Sequence, residues 1–149
     1  MENMNKIPLR EEIPAEDKWA LEDLYPSDES WEQALAAFEK AGQELAGYAG
    51  RLCESADVLY AYLTKMEQVN EDGSRLANYC MRKSDEDTRD PVYQAMKGKF
   101  MGAYVALSAQ VSFETPEIIA ISDETMEAFY ASCSGLNRYR RYRSNLRRM

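Results

Sequence analysis

The side chains in this 149-residue chain that could do chemistry are its carboxylates, tyrosines, lysines and three thiols; histidine is absent. Without an imidazole the chain cannot hold an H-E-x-x-H zinc site, a Ser-His or Cys-His nucleophile pair, or a histidine general base. Cys53, Cys80 and Cys133 are widely spaced and odd in number. That pattern suits neither a disulfide framework nor a zinc knuckle, and the expectation is buried, reduced thiols. The run Asp85-Glu86-Asp87-Thr88-Arg89-Asp90 invites a calcium-loop reading, but its sixth position is Asp90 where glycine is needed. Its twelfth is Met96 where a bidentate carboxylate is needed. A solvated turn with helix-capping acids is expected there instead. Paired carboxylates could support glycoside hydrolysis without histidine, yet 26 acids make chance pairs common and single none out. No phosphate-binding glycine loop, nucleophile elbow or Ser-x-x-Lys motif occurs. No catalytic, cofactor-binding or metal-ligating residue is therefore assigned.

Charge narrows the partners. The chain carries 18 basic and 26 acidic side chains, a net of −8. Six of the basic groups, Arg138, Arg140, Arg141, Arg143, Arg147 and Arg148, lie after Gly135 with no acid among them. An isolated basic end suits nucleic acid, but the acidic remainder repels phosphate, so no nucleic-acid partner is expected. In the same segment Leu136, Tyr139, Tyr142 and Leu146 recur at three- and four-residue steps. This predicts an amphipathic helix whose arginine stems flank an apolar stripe. No stretch reaches the ~20 apolar residues of a membrane span, and residues 1–10 lack an apolar signal-peptide core. No membrane partner and a cytoplasmic location are expected. Hydrophobic residues at 45% suffice for one core in a chain of this length.

The elements that position these groups read as all-α. Pro8, Pro14 and Pro26 keep residues 1–26 an irregular arm, with a helical turn near residues 15–23 and Trp19, Leu21, Leu24 and Tyr25 to fasten it. Ser27 is the expected cap of a helix that ends near Ala49, in which Trp31, Phe38, Leu45 and Leu52 repeat every seven residues. Ser55 caps the next, over residues 56–83, with Leu59, Leu63, Met66, Val69, Leu76 and Cys80 on one side. Gly73 could break it, but the stripe keeps its phase across that point and continuity is expected. Residues 84–90 form a polar turn, and Asp90-Pro91 restarts a helix over 91–114 carrying Tyr93, Met96, Phe100, Tyr104, Leu107 and Val111. Gly98 and Gly102 are placed to admit a neighbouring helix closely. Thr115-Pro116 opens a short helix and Ser122 or Asp123 caps another that Gly135 ends. The expected architecture is a long antiparallel hairpin of the helices over 56–83 and 91–114 with shorter helices packed on it. The heptads also fit a coiled-coil dimer, which Gly73 and Gly98 disfavour.

Several segments carry a resemblance. Pro8-Leu9-Arg10, then Trp19-Ala20-Leu21-Glu22-Asp23-Leu24-Tyr25-Pro26-Ser27 followed by Trp31, is similar to the opening of oligoendopeptidase F-type enzymes, zinc metallopeptidases of the thimet oligopeptidase-like family. Ser84-Asp85-Glu86-Asp87-Thr88-Arg89-Asp90-Pro91-Val92-Tyr93 resembles that family's link between its first long helices. Ser112-Phe113-Glu114-Thr115-Pro116-Glu117-Ile118 and the basic segment after Gly135 follow in the same order. The resemblance spans essentially the whole chain but only the front of a much longer enzyme. It implies an N-terminal arm at 1–26 and, at 27–149, a helical N-terminal domain that helps wall the peptide cleft. The implied partners are the zinc-binding catalytic portion and, in the complete enzyme, a peptide substrate. The zinc ligands themselves belong to H-E-x-x-H and a later glutamate, none of which maps here. The arginine helix would lead toward the catalytic part, and its apolar stripe would be covered by it or by self-association. The alternative is a free-standing helical interaction domain without enzymatic activity.

Overall fold

Local capping chemistry starts most of the helices. The structure is a computed structural model describing residues 8–148; residues 1–7 of the expected arm and Met149 lie outside the described residues. The Ser27 hydroxyl accepts the backbone N–H of Ser30 at 3.1 Å and opens helix α1, Asp28–Ala46. Ser55 does the same for α2, Ala56–Glu86, accepting from Val58 at 3.2 Å. Asp90 caps α3, Pro91–Gln110, with proline at the first helical position, where a missing N–H costs nothing. Two short helices follow, α4 over Glu114–Ala120 and α5 over Asp123–Ser132, the second capped by Ser122. A 3-10 stretch, Ser134–Tyr139, leads into α6, Arg140–Leu146. Among the described residues there is no strand.

The core is a sheaf of three long helices, with α1 packed on both α2 and α3 and α3 doubling back along α2. Trp31, Leu35, Phe38 and Leu45 of α1 are buried against Leu59, Leu63, Val69 and Leu76 of α2 and Met96, Phe100 and Leu107 of α3. The Trp31 indole N–H donates to the Leu76 carbonyl at 3.0 Å, so the largest core side chain buries no unsatisfied donor. α2 runs unbroken through Gly73, whose hydrogen is what lets Phe38 of α1 approach; a Cβ there would meet the ring at 2.9 Å. Leu52 lies beyond the end of α1 yet is fully buried.

Several boundaries differ from the sequence reading. α1 ends at Ala46, three residues early, because Gly47 and Gly50 remove the incentive to continue, and Gly50 takes a left-handed φ of 76°. α2 continues to Glu86, so residues 84–86 are helix and the polar turn is only residues 87–90. Ser84 is buried and its hydroxyl accepts from the Gln94 amide across that turn at 2.8 Å. Gly135 does not end a helix. It sits inside the 3-10 stretch, beneath the Tyr60 ring. Tyr104 points outward, as does Trp19 of the arm, which is 64% exposed with the Arg82 guanidinium 4.7 Å over its ring. The described arm is three 3-10 turns, Arg10–Glu12, Ala15–Asp17 and Leu21–Asp23, fastened by buried Leu21 and by Tyr25 edge-on to Tyr79 at 5.5 Å.

Candidate functional site

The carboxylate with the most constructed surroundings is Glu114, the first residue of α4, nine-tenths buried. One oxygen accepts the Tyr62 hydroxyl of α2 at 2.7 Å, and the other accepts the Tyr142 hydroxyl of α6. Burial first, and then the adjacent carboxylate, push both tyrosine hydroxyls far above their ordinary value, so they remain proton donors. With both oxygens engaged by firmly held protons, Glu114 ties three helices together. Each of its oxygens is spent on a hydrogen bond between helices.

Glu117, one turn further along α4, accepts the backbone N–H groups of Gly50 and Leu52, the latter at 3.3 Å. Two amide donors of the bend between α1 and α2 are thus satisfied by α4, while those of Arg51 and Glu54 bond to carbonyls of the bend itself. Neither glutamate stood out in the sequence, because their partners are distant in the chain. They stood there only within the family-like segment 112–118 and as acids at the start of a short helix, which is ordinary capping.

The arginines are mostly engaged by the acids of their own chain. Arg143 is nine-tenths buried and donates to Asp123 at 2.8 Å and to the Ile121 carbonyl at 2.7 Å. Arg147 also reaches Asp123, Arg140 pairs with Glu127 at 2.8 Å and lies over the Tyr130 ring, and Arg138 pairs with Glu67 at 2.6 Å. The apolar stripe expected to lie bare at this end is covered. Leu136 and Tyr139 are buried where the 3-10 stretch packs on α2 and α5, and Tyr142 and Leu146 are half-buried.

The thiols are all free but differ in setting. Cys80 is buried in α2 and its thiol is pushed up to about 11 by that burial, which makes it inert at neutral pH. Contrary to expectation, Cys53 is exposed, since it falls in the bend between α1 and α2 rather than on a helix face; Cys133 is intermediate. In the acidic turn, the Arg89 guanidinium and backbone N–H hold the Asp87 carboxyl at about 2, and Arg82 lies 3.7 Å from Asp85. These acids are occupied by arginine and by capping. Among the described residues no group of three or more Cys, Asp or Glu is placed to hold a metal ion, so zinc has no fitting site here.

An apolar groove of about 490 Å³ lies between α2 and α3, with Gly73, Ala77 and Met81 on one side and Phe100, Met101 and Tyr104 on the other. It is the kind of surface that holds an apolar side chain, and no carboxylate, thiol, lysine or arginine lines it.

No protein-family model matches the chain. It is 36% identical to oligopeptidase PepF of Bacillus subtilis over 135 residues, covering 91% of this chain and 20% of that protein. The chain is related to the N-terminal part of oligoendopeptidase F. The fold agrees. The crystal structure of oligoendopeptidase-F from Enterococcus faecium superposes with a TM-score of 0.71 at 22% identity, over 80% of this chain and 24% of that one. A crystal structure from Chlamydophila abortus reaches a TM-score of 0.81 at 19% identity, over 96% of this chain and 24% of that one. The chain thus spans about a fifth of the length of the curated relatives it matches.

Proposed function

We propose that residues 27–149 are the helical N-terminal domain of an oligoendopeptidase F-type peptidase, and that residues 1–26 are the arm that fastens to it. In this reading the domain is a non-catalytic lobe of a cytoplasmic enzyme that cleaves short peptides. It helps wall the peptide cleft, while a separate catalytic portion binds zinc and activates water. The observation that carries the reading is the 36% identity with PepF over nearly the whole chain, in a chain that has no histidine. The side-chain geometry is of the same kind. Glu114, Glu117 and Asp123 spend their oxygens holding helices and bends in place, which suits a stiff wall.

The test is a chimera in which this chain replaces the matched region of the Bacillus relative. The chimera is expected to cleave short peptides, and the 149-residue chain by itself is expected to leave them intact and to bind no stoichiometric zinc. Cleavage by the isolated chain that survives repurification would overturn the reading. A chimera that folds and loads zinc but has lost all peptidase activity would count equally against it, in favour of a free-standing interaction domain.

A further inference from the structure

The outward side of α3 is unlike the rest of the surface. Three in ten residues of the chain are charged, yet from residue 98 to residue 109 the only charged side chain is Lys99, already paired with Glu32 at 2.6 Å. The remaining exposed positions in that span are glycine, alanine, serine, methionine, tyrosine and valine. Met101 is 44% exposed, Tyr104 49% and Val105 63%, and their i, i+3, i+4 spacing places them on one stripe. Beside them a Cβ added at Gly98 or Gly102 would meet nothing within 4 Å. These are the two glycines whose positions predict a closely approaching helix, and no described residue supplies one. Met101 and Tyr104 also form one wall of the apolar groove, so stripe and groove are a single continuous surface. A helix that is apolar or small-sided all round is normally packed all round.

We infer that this face of α3, with the adjoining groove, is the seat of an apolar helix from the polypeptide that lies beyond the matched region in the full-length relatives. The inference rests on the peptidase-lobe reading above and adds where the two portions meet. What commits the surface to that occupant is length. The same fold is found as 24% of a longer chain in the solved structures, and the chain matches only 20% of the Bacillus relative, so about four-fifths of such an enzyme lies outside this lobe and can supply its cover. The Arg138–Arg148 end does not offer a comparable seat, since its stripe is covered and its arginines are mostly paired internally. Glycine and alanine on the open face let a helix backbone come close, Val105 and Met101 supply the knobs, and the groove takes one long apolar side chain.

Val105→Cys tests this in the isolated chain and in the chimera, with maleimide modification followed site by site by peptide mass mapping. Cys80, buried in the core, is the slow internal standard. Residue 105 is expected to react rapidly in the isolated chain and at least about a hundredfold more slowly in the chimera, as a contact that opens only by local unfolding would. Equal rates in an active chimera would overturn the inference and leave the lobe reading standing. Protection that vanishes on dilution would assign the face to a second copy and overturn it too. Should the chimera fail to fold, which counts against the lobe reading, overlapping peptides from the unmatched part of the relative can be titrated into the isotope-labelled chain. Shifts confined to residues 98–109 and the groove support the inference; shifts elsewhere, or none, refute it.

Discussion

Replacing Gly73 with alanine should destabilise the chain, although the same change elsewhere on a long helix stabilises it. Alanine is worth about 1 kcal/mol more than glycine in a helix interior. At residue 73 that gain meets a steric term, because the new methyl carbon would lie 2.9 Å from Cε2 of Phe38. Carbon atoms in contact prefer about 3.5 Å or more, so the ring must retreat roughly 0.6 Å. The ring is buried and leans on Phe100 with ring centroids 6.3 Å apart, and its open side lines the apolar groove between α2 and α3. Overpacking of this size costs about 1–3 kcal/mol, which cancels or exceeds the propensity gain. Gly98→Ala is the matched control. It sits in open space on α3 and should collect the full gain. Urea unfolding followed by circular dichroism should therefore place Gly73→Ala about 1–3 kcal/mol below Gly98→Ala. Adding Phe38→Leu, which shortens the colliding side chain, should make the double variant less destabilised than the sum of the singles. A Gly73→Ala variant as stable as Gly98→Ala, with no coupling to position 38, would refute the account of how α1 and α2 cross.

Glu114→Ala leaves the buried Tyr62 hydroxyl and the half-buried Tyr142 hydroxyl without their acceptor and should cost about 2–4 kcal/mol in urea unfolding, whereas Tyr142→Phe should cost about 1 kcal/mol. Tyr62 and Tyr142 have folded-state values raised above the ordinary 10.0, so their contribution is complete below about pH 10 and is lost as pH rises beyond it, when only the unfolded chain ionises. The unfolding midpoint should fall between pH 10 and 11.5, and a Tyr62→Phe, Tyr142→Phe double variant should fall less steeply. Thiol titration at pH 8 should modify Cys53 quickly, Cys133 more slowly and Cys80 only after unfolding, and rapid loss of all three would contradict the burial of Cys80. Ser27→Ala should lower stability by about 1 kcal/mol, measured by thermal melting, through loss of the cap on α1.

What was legible in the sequence was local. Ser27, Ser55, Asp90-Pro91 and Ser122 each act on a backbone group two or three residues away, and each starts a helix as read. Trp31, Phe38 and Leu45 were legible because a periodic stripe needs only some partner, whichever it is. Where the identity of the partner matters, the sequence is silent. Glycine at 73 and at 98 looks alike in the chain, and only the fold shows that Phe38 occupies the space at one and nothing occupies it at the other. Glu114 is bound to tyrosines 52 and 28 residues away, a pairing that no spacing rule reports. The stripe through Leu136 and Tyr139 was recognised as apolar, but its cover is the chain's own α2 and α5. The bare surface lay on α3, where glycine and alanine hide apolar character from a count of large side chains.

The two tryptophans differ as sharply as two indoles can, Trp31 sealed in the sheaf and Trp19 mostly in water beneath a guanidinium. Their fluorescence should therefore separate into a blue, quencher-resistant component and a red, acrylamide-sensitive one. Following the second during denaturation reports release of the arm, and following the first reports collapse of the three-helix interior. The protein thus carries two optical gauges, and the interval between their transitions measures how far the arm can detach before the rest gives way.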